Sequence, residues 1–146
     1  MRKADKEALA SLGLEVDDAP RDVDLNLGVV LTIRPPESVD WAKARSRVAR
    51  VVESRDAIVK AVEAYGWSIA DIRDVIEDSE TWEIAFAHML YSELAVEIVT
   101  AIRSPTGAVT PAREVIAPLL RLEGNLTLFR QSVDAASEGL IRAKKE

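Results

Sequence analysis

Hydrophobic and polar residues alternate along one stretch of the chain and recur at helical spacing along most of the rest. From Val23 to Ile33, apolar residues stand at every second position, which is the period of a half-buried β-strand. Gly28 lies in the middle, so the stretch is either one long strand or a hairpin of 23–26 against 29–33, and we favour the hairpin. Because two strands alone are marginally stable, this element is expected to lie on a helix or to pair with another copy.

A long helix is predicted over residues 39–65, with Ser38 as its N-cap. Its apolar positions follow alternating steps of three and four residues, which is typical of a packed helix face or a coiled-coil-like seam. One functional alternative is therefore an adaptor or regulator that dimerises through this helix. The seam residues singled out for self-association are Trp41, Val48, Val51, Ile58 and Val62.

The most apolar helix is predicted over Glu80 to Arg103, where hydrophobic residues lie on almost every face. Glutamates and one histidine interrupt it throughout, so a membrane span is not expected. One side of this helix is apolar at its start and polar at its end. Either neighbouring elements cover the apolar end, or it forms a groove that binds a partner. The residues of this apolar end are Trp82, Phe86, Met89 and Leu90.

The remaining segments complete a mainly α-helical prediction of about five to six helices, with one N-terminal β-hairpin or long strand. A short helix is expected after Ser68. Another is expected to start at Thr110, with a kink or split at Pro118, and a last helix is expected to carry Leu128 to Leu140 and to end in Lys144-Lys145. A chain of 146 residues is long enough for one domain with a core. That domain, 1–146, is expected to consist of a flexible N-terminal helix and loop (1–22), the β segment (23–34) and a helical body (38–146).

Composition excludes several classes of site and partner. Without cysteine, the chain has neither a disulfide framework nor a thiolate metal site. The net charge of -6 argues against a nucleic-acid surface, and partners are expected to be proteins. Residues 1–7 are not followed by an apolar run, so no signal peptide is expected. These features predict a cytoplasmic protein that contacts neither nucleic acid nor membrane.

No catalytic, metal-binding or cofactor-binding residues are predicted. His88 is the only histidine, and no nucleophile motif marks any serine. The carboxylates of residues 71–80 lack calcium-loop spacing, so a solvated helix face is the preferred interpretation. The basic strip of Lys43, Arg47 and Arg50 is also interpreted as a solvated face, because acidic residues surround it. An enzyme that uses His88 with nearby carboxylates remains a second alternative.

Several short motifs follow one another in a characteristic order. A strand segment ends in Leu31-Thr32-Ile33-Arg34-Pro35-Pro36, and a long helix and an apolar helix follow it. The loop Ser104-Pro105-Thr106-Gly107 comes next, and then Val109-Thr110-Pro111 opens a helix that reaches Leu119-Leu120 and then Phe129. Over residues 23–130 this order resembles the tail assembly chaperones of long-tailed bacteriophages and of phage-derived particles that transfer genes between bacteria.

The resemblance implies a non-enzymatic protein that binds the long, apolar tape-measure protein during tail assembly and keeps it soluble. It also implies that the protein helps to recruit the major tail protein and is absent from the finished particle. On this hypothesis the apolar end of the central helix contacts the client, while the net negative charge keeps the chaperone dispersed. A homo-oligomer remains open.

Overall fold

In the computed structural model, residues 1–51 and 79–144 are described. Five α-helices and six β-strands lie in these two ranges. The helices are α1 (Lys3–Ser11), α2 (Ser38–Val51), α3 (Ser79–Ile98), α4 (Arg113–Arg121) and α5 (Asn125–Glu138). The strands are β1 (Leu14–Val16), β2 (Arg21–Asp24), β3 (Val30–Ile33), β4 (Val99–Ser104), β5 (Gly107–Val109) and β6 (Ile141–Ala143).

The prediction of a mainly α-helical domain with one hairpin is wrong, because the fold is mixed α/β. A four-stranded antiparallel sheet has the order β2-β3-β4-β5, and β1 pairs with β6 in a second, two-stranded sheet. The favoured hairpin itself is confirmed, since β2 and β3 pair antiparallel with Val23 opposite Leu31. The strands that extend it come from the same chain rather than from another copy.

One of the extra strands, β4, lies where the central helix was predicted to continue. Helix α3 ends at Ile98, and residues 99–104 form β4 beside β3. At the junction, the Ile98 carbonyl accepts a hydrogen bond of 3.0 Å from the backbone N–H of Arg34. The register shifts by one residue there, as in a β-bulge, so Thr100 is skipped in the pairing with β3. The Thr100 hydroxyl donates instead to the carbonyl of Thr32 at 3.3 Å. β-Branched side chains at Val99, Thr100 and Ile102 favour the strand.

One core joins the sheet to the helices. The sheet side chains that face this core are Val23, Leu31, Ile33 and Ile102, all of them buried. Helices α3, α4 and α5 cover this face, and the fully buried ring of Phe129 lies 6.5 Å from the ring of Tyr91 in an edge-to-face arrangement. The opposite face carries Asp22, Thr32 and Arg103, which are joined by hydrogen bonds. The domain is thus built from two layers, with one face of the sheet left polar.

The structure adjusts several predicted boundaries. Glu37, rather than Ser38, takes the N-cap position of α2, because its carbonyl accepts the N–H groups of Asp40 and Trp41. A kink or a split was predicted at Pro118, and α4 continues through that residue without a split. Helix α5 ends before the last predicted turn, and the residues after it pair with β1 as β6. The helix predicted after Ser68 and the second half of the 39–65 helix lie outside the described residues.

Candidate functional site

The structure separates the four residues predicted to bind a partner. Met89 is only 2% exposed, and Leu90 is half-buried and packs against the core. Phe86 is 36% exposed, one turn before Leu90 on α3. The side chain of Trp82 lies outside the described part of the structure. Of the three described side chains, Phe86 alone therefore offers apolar area at the surface.

The residues predicted for self-association lie on an intramolecular contact where the structure describes them. The ring of Trp41 meets the ring of Tyr91 on α3 edge to face, with 5.7 Å between centroids. Val48 is buried at 1% exposure on the same helix, which packs along α3. The side chains of Val51, Ile58 and Val62 fall outside the described residues. The described part of the α2 seam therefore belongs to the core of one chain.

The polar end of α3 is covered by basic residues from two other helices. Glu93 is 6% exposed, and its Oε2 lies 2.7 Å from a guanidinium nitrogen of Arg113 on α4. Arg47 on α2 forms ion pairs with both Glu93 and Glu97, and Lys43 lies 3.9 Å from Glu97. Lys43 and Arg50 are exposed, in agreement with the interpretation of the basic strip as a solvated face. Arg47 is half-buried, and its ion pairs join α2 to α3.

A separate ion pair, between Arg34 and Asp40, joins the end of β3 to the start of α2. The guanidinium of Arg34 donates two hydrogen bonds to the carboxylate of Asp40, at 2.7 and 2.6 Å, and a third, at 3.1 Å, to the backbone carbonyl of Glu97. Asp40 is 2% exposed and also accepts the backbone N–H of Glu37 at 2.8 Å. Burial acts to raise the pKa of Asp40, but the hydrogen bonds from Arg34 and Glu37 outweigh it and hold that pKa below its ordinary value of 3.8. This carboxylate is thus ionised and fully engaged in joining three elements.

His88 lies on the buried side of α3 and is 5% exposed. Burial, and secondarily the positive charge of Arg121, lower its pKa below the ordinary value of 6.5, so the imidazole is neutral at neutral pH. Within residues 1–51 and 79–144, no group of three or more metal-ligating side chains comes together.

Three turns meet at one end of the four-stranded sheet, a feature that the sequence did not reveal. They connect β2 to β3, β4 to β5, and α4 to α5. Asn26 ties the first turn to the third, because its backbone N–H donates to Asn125 Oδ1 and its side-chain amide donates to the carbonyl of Glu123, both at 2.9 Å. The second turn packs on the first: a Cβ on Gly28 would come within 3.1 Å of Pro105 Cγ. The exposed apolar residues of these turns, called here the turn surface, are Leu27, Pro105 and Leu122.

Leu27 stands at the tip of the turn surface in a conformation that disfavours leucine. Its φ of 64° and ψ of 29° are left-handed, and Gly28 follows with a φ of 75°. Hairpin turns of this kind prefer Asn, Asp or Gly, and the left-handed region costs an L-residue about 1–2 kcal/mol. The side chain is nevertheless 81% exposed. Leu27 therefore contributes strain and exposed apolar area instead of burial.

As one long strand, the alternating segment would place Leu27 on the same face as Val23 and Leu31, whereas the favoured hairpin of 23–26 against 29–33 leaves it in the turn. The turn removes it from the strand, because β2 ends at Asp24 and β3 begins at Val30. The Leu27-Gly28 pair was the sequence signal for an exposed leucine in the turn. It could be interpreted in this way only once both residues were known to adopt positive φ.

Comparison of the chain with family models, with curated proteins and with solved structures finds no match. None of the helices in the described ranges is both long enough and apolar enough to cross a bilayer.

Proposed function

We propose that the protein is a non-enzymatic tail assembly chaperone. In this role it binds an apolar, helical tape-measure protein while a phage-type tail is built, keeps it soluble and helps to recruit the major tail protein. The order of segments over residues 23–130 supports the family assignment. The observation that carries the proposal is the display of large apolar side chains on a chain of net charge -6: Leu27 is 81% exposed, Leu122 46% and Phe86 36%.

Such a surface suits a client that aggregates through its own apolar faces. Exposed leucine and phenylalanine side chains offer the client a place to bury apolar area, at about 25 cal/mol per Å² removed from water. The negative charge keeps loaded and unloaded chaperones apart. The ion pairs of Glu93 and Glu97 use the polar end of α3 inside the fold. Phe86, on an earlier turn of the same helix, is 36% exposed.

The described residues favour this role over that of an adaptor dimerising through the 41–65 helix. Trp41 contacts Tyr91 of the same chain, and Val48 is buried. A dimer through these two residues would have to expose the core that they now cover. The chaperone proposal requires no such rearrangement, because its contact residues are already at the surface.

Co-expression tests the proposal directly. The chain is produced together with a tape-measure protein, and the soluble fraction of the tape-measure protein is measured with and without the chain. A tenfold increase in soluble client is the order of effect expected for about 1.4 kcal/mol of favourable binding. No increase with the folded wild-type chain would overturn the proposed function.

Substitutions of Phe86 in the same co-expression assay test the contribution of one residue. Phe86→Glu is expected to reduce the rescue of the client, because it places a charge where apolar contact is needed. Val39→Glu is the matched control, since Val39 is 52% exposed on α2 and distant in sequence from α3. Circular dichroism checks that each variant folds, and Phe86→Ser is the milder substitute if the glutamate variant unfolds. Full rescue by a folded Phe86 variant would remove Phe86 from the client surface.

A further inference from the structure

We infer that the turn surface is the primary docking site for the client and that Leu27 inserts as a knob into an apolar hole on a helical partner flanked by basic residues. This inference rests on the proposed function, and the partner is the tape-measure protein. It differs from the sequence hypothesis, which placed the client on the central helix.

The choice of leucine at position 27 runs against the stability of the fold. The left-handed φ of 64° penalises leucine, and the 81% exposure of the side chain gains almost no burial in return. Asparagine or glycine would fit this turn better on both counts. A strained residue of this kind persists where the surrounding structure holds it and where it serves contact with something outside the chain.

The surrounding structure holds Leu27 firmly. Asn125 is fully buried, accepts the backbone N–H of Asn26 at 2.9 Å and donates to the carbonyl of Leu119 at 3.0 Å. Asn26 is held a second time by the carbonyl of Glu123, and Gly28 lies against Pro105. The knob is therefore presented by a pre-organised base, which lowers the entropy lost on binding.

Shape and charge indicate which kind of partner the turn surface would bind. A side chain that projects from a turn needs a concave partner, and four side chains on the surface of a helix form a hole of the right kind. Asp24 and Glu123 are exposed beside the turn, and within the described residues no cation forms a salt bridge with either. Arg103, on the adjoining strand, is already paired with Asp22 at 3.0 Å. The rim is acidic, so the partner helix is expected to carry lysine or arginine beside its apolar hole.

The test compares Leu27→Asn with Leu12→Asn in the full chain. Both leucines are exposed, Leu12 at 73%, but Leu12 lies at the end of α1 with an ordinary negative φ of -93°. Co-purification with the tagged tape-measure protein measures affinity, and thermal unfolding measures stability. Leu27→Asn is expected to weaken binding about 10- to 100-fold, the effect of one buried leucine, without lowering the melting temperature. Leu12→Asn is expected to leave binding unchanged.

A charge-reversal arm examines the rim. Replacing both Asp24 and Glu123 with lysine is expected to weaken co-purification with the tape-measure protein and to reduce its dependence on salt. Unchanged affinity and unchanged salt dependence would contradict the acidic-rim argument and with it the stated partner chemistry.

The binding results distinguish failure of the proposed function from failure of the docking site inferred here. If the wild-type chain does not bind the tape-measure protein, the proposed function and this inference both fail. If the wild-type chain binds and Leu27→Asn binds equally well, only the inference fails. A lowered melting temperature in Leu27→Asn would show that Leu27 supports the fold, and would overturn the premise. If light scattering shows a wild-type dimer that Leu27→Asn abolishes, the occupant is a second copy of the chain and the client assignment is wrong.

Discussion

Replacing Asp40 with alanine should destabilise the protein far more than replacing any surface aspartate. Asp40 is 2% exposed, and its carboxylate accepts two hydrogen bonds from Arg34 and one from the backbone N–H of Glu37. The substitution removes all three at once. It leaves the guanidinium of Arg34 without its carboxylate, at the point where β3, α2 and α3 meet.

The size of the effect follows from the two interactions lost. Breaking a buried ion pair by removing one partner costs about 3–5 kcal/mol. The side chain of Arg34 is 38% exposed, so water recovers part of that cost. Loss of the capping contact to Glu37 adds about 1 kcal/mol. Together these predict a loss of about 2–4 kcal/mol in the free energy of unfolding and a fall of about 5–15 °C in melting temperature.

Urea and thermal unfolding of Asp40→Ala measure this loss, and Asp22→Ala is the matched control. Asp22 also pairs with an arginine, but its side chain is 55% exposed and that of Arg103 is 60% exposed, so about 0–1 kcal/mol is expected there. Equal losses for the two variants would refute the reasoning that burial and shared hydrogen bonds set the value of the Arg34–Asp40 pair.

Two further predictions concern buried polar groups. Burial and Arg121 depress the pKa of His88 below 6.5, so the unfolded chain takes up the proton first, and stability should fall as the pH drops below about 6.5 towards the folded-state pKa. Urea unfolding at about pH 7.5 and about pH 5.5 should show a smaller difference for His88→Gln than for the wild type, and an identical difference would be contrary to this account. Asn125→Ala should cost about 2–4 kcal/mol, because it leaves the Asn26 N–H and the Leu119 carbonyl without the partner that they share. Gln131→Ala, at an exposed position on α5, is its control in thermal unfolding, and equal melting temperatures would argue against this role for Asn125.

The sequence predicted the β2–β3 hairpin because its signal is local. Alternation from Val23 to Ile33 and a central glycine lie within one short window, and the two strands pair across a turn of a few residues. Strand β4 was missed because Val99 to Ser104 continues an apolar run from a helix, and periodicity alone does not separate a short buried strand from a helix. The β-branched residues, followed by Ser104-Pro105-Thr106-Gly107, were a hairpin signal that the helix prediction had absorbed.

For the candidate site as well, the sequence predicted the local grouping of residues but not their burial. Sequence spacing grouped Phe86, Met89 and Leu90 on one side of a helix, but the structure buries Met89 and packs Leu90 on the core. Leu27, which the favoured hairpin left in its turn without a role, is the most exposed large apolar side chain described. Burial depends on what the rest of the chain places over each face, and a periodic pattern states only that a face exists.

By itself, the sequence determined the hairpin, the positions of the helix starts to within a few residues, the acidic charge and the lack of cysteine chemistry. Only the tertiary structure decided which faces are covered, that β4 completes a sheet with β3, and that β1 and β6 pair across the length of the chain, where Arg142 meets Glu15. The physical reason is sequence distance. Local contacts follow from residue order and backbone preference, whereas pairing between distant strands depends on which partners the folded core brings together.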